Sequence, residues 1–194
     1  MRPRRKKEWN RVVAERPNQL WQTDMTKVWA GSSVGWDYLV SVIDCCTLDI
    51  VGWDLSLRCR TQEAIAAVER AVLEQMADGS RNYGLVLNTD NGTQFTATRS
   101  LEVLTRLGIT HRHTAFNHPD GNGLIERIHR SLKAEEIWLN EYPSLEEARH
   151  SIGRWIEEYN HDRPHRAFKN RTPHEARAGF AQPQPLTKTE ALSV

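Results

Sequence analysis

The sequence predicts an α/β fold: a mixed sheet in which an antiparallel three-strand meander is joined by parallel strands, flanked by helices and followed by a C-terminal helical extension. Three observations carry that expectation. Three β-patterned runs follow one another between Leu20 and Leu57, the apolar period lengthens to that of a helix after Thr61, and a strand, helix, strand succession occupies Leu85 to Thr114.

Each element has a local reason. Trp21, Thr23, Val28 and Trp29 are rich in β-formers, and Gly31-Ser32-Ser33 supplies a turn before the buried run Tyr38 to Ile43. Val51, Trp53, Leu55 and Leu57 alternate with Gly52, Asp54, Ser56 and Arg58, which predicts that the first set shares one face of a strand. Ile65, Val68, Val72 and Met76 then fall at helical spacing, with Gly79 just beyond. Leu85-Val86-Leu87 is a short buried strand ending at Asn88-Thr89-Asp90-Asn91-Gly92. Leu101, Leu104 and Leu107 mark a helix closed by Gly108, and Ile109 to Thr114 return as a strand. A strand, helix, strand unit of this kind implies a parallel pair.

Residues 115 to 123 are loop chemistry, His118-Pro119-Asp120-Gly121-Asn122-Gly123, leading into a helix with an Ile125, Ile128, Leu132 stripe. Ser144 and Glu147 have capping-box spacing before an amphipathic helix that runs to about Asn160, and Pro164 stops it. The domain plan is a flexible basic arm over residues 1–16, one core with its C-terminal helix over 17–178, and a disordered tail over 179–194.

Composition bounds the function. A chain of 194 residues has room for one main core, and 26 Lys plus Arg against 25 Asp plus Glu exclude binding to a polyanion by bulk charge. Any such partner must be met by local patches. Arg2, Arg4, Arg5, Lys6 and Lys7 crowd the start, whereas residues 12 to 194 hold 20 basic and 24 acidic side chains and are net −4. No apolar run approaches the roughly 18 residues of a membrane span. Cys45, Cys46 and Cys59 form no C-x-x-C pair, which fits a reducing cytoplasm. Cys45 and Cys46 read as core fillers in an apolar strand, and Trp21, Trp29, Trp53 and Trp155 as core. His111 and His113 point to one side of a strand without a third ligand nearby, so a structural or surface role is expected for them.

Three acids stand out. Asp24 lies within a β-patterned stretch, where Asp is depleted, although a solvated edge-strand charge accounts for it as well. Asp90 follows an apolar strand in what is also ordinary turn chemistry, and Glu126 sits in a first helical turn, where an acid suits the macrodipole. Together they occupy two strand ends of one sheet and a helix reached through a loop. Such a set can hold two divalent ions about 3.5–4 Å apart for phosphoryl transfer. On the Glu126 helix, His129, Arg130 and Lys133 fall on the same face as the acid, away from the apolar stripe; phosphate binding and a solvated face both explain them.

Trp21-Gln22-Thr23-Asp24, Thr89-Asp90-Asn91-Gly92-Thr93-Gln94-Phe95 and Asn122-Gly123-Leu124-Ile125-Glu126-Arg127, with 35 residues between Asp90 and Glu126, resemble the integrase core of retroviral integrases and insertion-sequence transposases. The stretches Tyr159-Asn160-His161-Asp162-Arg163-Pro164-His165 and Thr172-Pro173-His174-Glu175-Ala176 resemble the insertion-sequence-three family in particular. The resemblance spans about Pro17 to Ala178.

It implies a ribonuclease H-like fold and a DDE site with Asp24, Asp90 and Glu126 as catalytic, metal-binding acids. It further implies two Mg2+ ions, replaceable by Mn2+, and DNA cleavage and strand transfer. Lys133, seven residues after Glu126, matches a basic position that touches the donor end, and Asn122 matches the amide of the active-site loop. Arg127, Arg130 and the arm residues Arg2, Arg4, Arg5, Lys6 and Lys7 are the other expected DNA contacts. The implied partners are element ends and target DNA, further copies of the chain, and the product of an upstream overlapping frame, in a nucleoid-associated, cytoplasmic setting without membrane. No His precedes residue 111, so the zinc module of retroviral integrases is not expected. The chain opens on the basic arm, which suggests a fragment or shortened product. A non-catalytic DNA-binding or regulatory remnant of the same fold, and an RNA-directed hydrolase, stay open as alternatives.

Overall fold

The computed structural model describes residues 14–30, 35–58, 60–76, 79–81, 83–90, 92–113 and 122–180. The arm from Met1, the turn at Gly31 to Ser33, Cys59, Asn91, the loop from His118 to Gly121 and the tail after Phe180 lie outside them.

Five strands, β1 (Leu20–Trp29), β2 (Trp36–Asp44), β3 (Ile50–Ser56), β4 (Val86–Thr89) and β5 (Thr110–His113), form one sheet in the order β3-β2-β1-β4-β5. β1, β2 and β3 make the predicted antiparallel meander, and β4 is parallel to both β1 and β5. The β1–β4 ladder runs from Leu20↔Val86 to Thr23↔Thr89, so β4 stops while β1 continues to Trp29.

Each face of the sheet has its own core. On one, Trp21, Val40, Val42 and Leu87 meet Ala67, Val68 and Val72 of α1 (Thr61–Gln75), together with Phe95 of the short helix α2 (Thr93–Thr96) and Leu104 of α3 (Thr98–Leu107). On the other, Val28, Leu39, Ile43 and Leu55 meet Ile125, Ile128 and Leu132 of α4 (Gly123–Leu132) and Ile152 and Trp155 of α5 (Leu145–His161). Burying an aliphatic side chain in either layer contributes about 1.5–3 kcal/mol. Gly52 permits the close approach of β3 to α1, since a Cβ there would lie 2.6 Å from the Ala67 carbonyl oxygen. Gly108 ends α3 in the left-handed region at φ 70°, as its place in the sequence predicts.

Several local expectations need correction. The β2–β3 register shifts between Val42 and Ile43, and this irregularity puts Val51 in the α1 core while Leu55 and Trp53 face α5. The expected common face is therefore split, and Leu57 lies past the strand, 54% exposed. Cys45 and Cys46 occupy the turn after β2 and are only half-buried. Trp29 is 43% exposed and packs edge-on against Trp36 across the β1–β2 hairpin.

The helix of Glu126 does not stop at Leu132 but widens into a π segment, Lys133–Ile137. Its Glu136 is buried and accepts from Tyr142 Oη at 3.0 Å and Ser151 Oγ at 2.5 Å. Glu135 forms a two-pronged pair with Arg163, at 2.6 and 2.8 Å, which holds its carboxyl below the usual range and ties the end of α5 to the π segment.

At Ser144 the hydroxyl accepts the Glu147 N–H, whereas both arms of a capping box are seen at Thr172 and Glu175, opening α6 (Pro173–Ala178). Arg177 of α6 reaches Asp44 at 3.2 Å and also bonds Asp49, beside Thr47 and Asn18. The C-terminal signature thus fastens the last helices to the meander.

Candidate active site

The geometry begins with the parallel pair Thr23↔Thr89. The residue after each is an acid, Asp24 on β1 and Asp90 just past β4. Neighbouring strands lie about 4.8 Å apart, so the backbones of the two acids follow the last rung on adjacent strands. Asp24 is half-buried, its side chain 22% exposed; its Oδ1 accepts the Met25 N–H at 2.8 Å. Asp90 folds over its own turn, with Oδ1 accepting the Gly92 N–H at 2.9 Å.

Asp90 has support from beneath. The Thr89 hydroxyl donates to the Asp90 carbonyl at 2.7 Å, which leaves its oxygen to accept from His111 Nε2 at 2.9 Å. His111 and His113 do point to one side, ring centroids 4.2 Å apart. Burial, and secondarily the His113 ring, push His111 down to about 4, so it is neutral at pH 7.

Glu126 arrives on α4, whose first turn is tied to β1 next to Asp24. Asn122 Nδ2 donates to the Thr23 carbonyl at 3.4 Å, and Gln22 Oε1 accepts the Ile125 N–H at 3.2 Å, satisfying a donor that a helix start leaves unpaired. Glu126 itself is exposed. One turn on, His129 is 5% exposed, with Nδ1 3.6 Å from Asp24 Oδ2 and Nε2 3.2 Å from Ser41 Oγ.

These contacts bring Asp24 and Asp90 to adjacent strand positions and hang the Glu126 helix from the same strand. They do not gather three acidic side chains on one point: among the described residues no group of three His, Cys, Asp or Glu is close enough to hold a metal ion. The donors nevertheless suit hard divalent cations, because carboxylate and amide oxygens are what such ions take. Asn122 Oδ1, buried and without a hydrogen-bond partner among the described residues, adds an oxygen beside the Thr23 carbonyl.

The other expected residues divide. Arg127 and Arg130 are exposed on α4, and Lys133 is half-buried at the start of the π segment. His129 does not share their solvent face, since it turns under the sheet to Asp24 and Ser41. Asn122, expected as a DNA contact, is only 4% exposed and clamps β1. Arg2, Arg4, Arg5, Lys6 and Lys7 lie outside the described residues. The anchoring roles of Gln22, Ser41 and His129 escape a reading by periodicity. Their only signal is a polar Gln beside Asp24 on a central strand and an imidazole one helical turn from Glu126.

Family models described as Integrase core domain match residues 14–119 and 107–173. The chain is similar to the transposase for insertion sequence element IS904 of Lactococcus lactis subsp. lactis, 29% identical over 161 residues that cover 82% of this chain and 61% of the relative. It is similar to transposase InsF for insertion sequence IS3fB of Escherichia coli K12, 30% identical over 153 residues, 78% of this chain and 51% of the relative. Among solved structures, the HTLV-2 integrase catalytic core domain in complex with magnesium matches with a TM-score of 0.62 at 19% identity, covering 84% of this chain and 98% of that one. The chain spans about half to three fifths of the length of the curated relatives it matches.

Proposed function

The chain belongs to the integrase core domain family, as a ribonuclease H-like core of the insertion-sequence-three transposase type, and from that membership we propose that it cuts DNA strands and joins them during transposition. The observation that carries the reading is the pair of acids following Thr23↔Thr89, with the Glu126 helix bonded to the same strand. Asp24, Asp90 and Glu126 are the catalytic and metal-binding acids. Mg2+, with Mn2+ as a substitute, would be held by these three and would supply, when bound, the charge that balances them and activates an attacking oxygen.

The chain's own residues do the positioning. A hydroxyl from water or a 3′ DNA end attacks a phosphodiester in line and the 3′ oxygen departs, with no covalent protein intermediate. Arg127, Arg130 and Lys133 hold phosphates from the outer side of α4, and the arm residues add contacts along the backbone. Gln22 and Asn122 fix α4 against β1, so the Glu126 position follows the strand that carries Asp24. The working form is an oligomer on element ends and target DNA, and an upstream-frame product is a further candidate partner. Among the described residues no helix is long and apolar enough to cross a membrane.

The test is joining of a pre-cut DNA end with Mg2+ or Mn2+, comparing the parent with Asp24→Asn, Asp90→Asn and Glu126→Gln. Each variant should lose at least about a hundredfold in rate, the size typical of a lost charge-stabilising group. A parent that binds DNA but joins nothing, as its variants do, would instead mark a regulatory remnant.

A further inference from the structure

We infer that His129 is a positioning residue that orients the Asp24 carboxylate for cation binding, and that Ser41 sets the imidazole. The inference rests on the reading of Asp24 as a metal-binding acid. Three facts carry it. His129 is 5% exposed although it belongs to a helix whose neighbours Arg127 and Arg130 face solvent. Its two ring nitrogens address different strands, Nδ1 standing 3.6 Å from Asp24 Oδ2 on β1 and Nε2 3.2 Å from Ser41 Oγ on β2. Asp24 and Ser41 are themselves cross-strand partners, so ring, hydroxyl and carboxylate are neighbours across the β1–β2 ladder.

The unit has the composition of a nucleophile triad and cannot act as one, because Ser41 is 2% exposed in mid-strand and no substrate carbonyl reaches it. What it can do is limit the carboxylate. Oδ1 of Asp24 is held by the Met25 N–H, and the imidazole borders Oδ2, so both ends of the acid are defined before any cation arrives. A contact of 3.6 Å is longer than a hydrogen bond and closes with a movement of about half an ångström. Since His129 lies three residues after Glu126, the same helical turn that presents Glu126 also steers Asp24.

The experiment measures Mn2+ binding to the whole chain without DNA, by electron paramagnetic resonance of the free ion, beside joining kinetics and thermal melting. His129→Phe keeps a planar aromatic ring, somewhat larger than the imidazole, and removes both nitrogens; it should weaken Mn2+ binding about tenfold and lower kcat with DNA affinity unchanged. His129→Asn restores a donor and should recover most of the Mn2+ affinity, and Ser41→Ala should give a smaller loss with the same signature. Should His129→Phe fail to fold, His129→Asn and Ser41→Ala decide by the same Mn2+ titration. Parent-like Mn2+ binding and kcat in the His129 and Ser41 variants, with Asp24→Asn defective in both, would overturn this inference alone. Asp24→Asn behaving as the parent would sink the underlying reading with it.

Discussion

Asn160, near the end of α5, forms two hydrogen bonds with the backbone of Ile50: its Oδ1 accepts the Ile50 N–H at 2.9 Å and its Nδ2 donates to the Ile50 carbonyl at 3.0 Å. A side-chain amide thereby behaves as a strand neighbour at the outer border of the sheet. Arg70 and Arg149 continue this cover on β3, donating to the Trp53 and Leu55 carbonyls. Asn160→Ala should cost about 1–3 kcal/mol, since two backbone groups lose their partners. Asn160→Asp should cost a similar amount, because a carboxylate accepts from the N–H but presents no donor to the carbonyl. Urea unfolding of both variants checks this.

Arg177 should be among the most sensitive residues for stability. Asp44 is fully buried and Asp49 is 5% exposed, and the guanidinium serves both. Arg177→Ala would leave two buried acids without their cation, a loss of about 3–5 kcal/mol. Arg177→Lys should recover only part, as one ammonium cannot reproduce the fork. Thermal melting at neutral pH reads the difference.

Asp37 offers a pH test. It is fully buried opposite Val28, neither carboxylate oxygen has a hydrogen-bond partner among the described residues, and burial raises its carboxyl above the ordinary value. The folded chain therefore holds this proton more tightly than the unfolded chain. The associated stability is fully present below the unfolded carboxyl value near 3.8 and is lost as pH rises through the folded one. Asp37→Asn should raise the melting temperature at pH 7 by several degrees, roughly 1–2 kcal/mol, with a much smaller effect near pH 4. Equal effects at both pH values would contradict the assignment.

Arg127 and Arg130 should act on DNA through charge alone. Replacing either by Ala should weaken binding to unrelated sequences by similar factors and reduce the slope of log affinity against log salt by about 0.9 per lost phosphate contact. Binding measured between about 50 and 200 mM salt gives that slope.

The meander, α1, the parallel pair and the order of elements were legible because apolar period, turn residues and helix stops agree over Leu20 to Gly108. The acids were legible as isolated departures from propensity and through their spacing. The split face of β3 was not, because the irregular register at Ile43 and Ile50 leaves the alternation of letters intact while changing the side that each faces. The π segment was equally hidden, since Lys133-Ala134-Glu135-Glu136-Ile137 would suit an ordinary helix and the widened turn is set by the buried contacts of Glu136. His129 looked like a solvent-face residue because helical phase alone gives its direction, and the sheet lying over it is a tertiary fact.

The unequal lengths of β1 and β4 have a consequence for how this core tolerates change. β1 outlasts its parallel neighbour by six residues, and Asp24 is the first of them. The Met25 N–H, just beyond the last rung, is met by the Asp24 carboxylate, so the acid stands where an adjoining chain would otherwise run. Inserting two residues to lengthen β4 would carry the ladder past Thr23↔Thr89, leaving an intact sheet in which Asp90 no longer follows the rung that Asp24 follows.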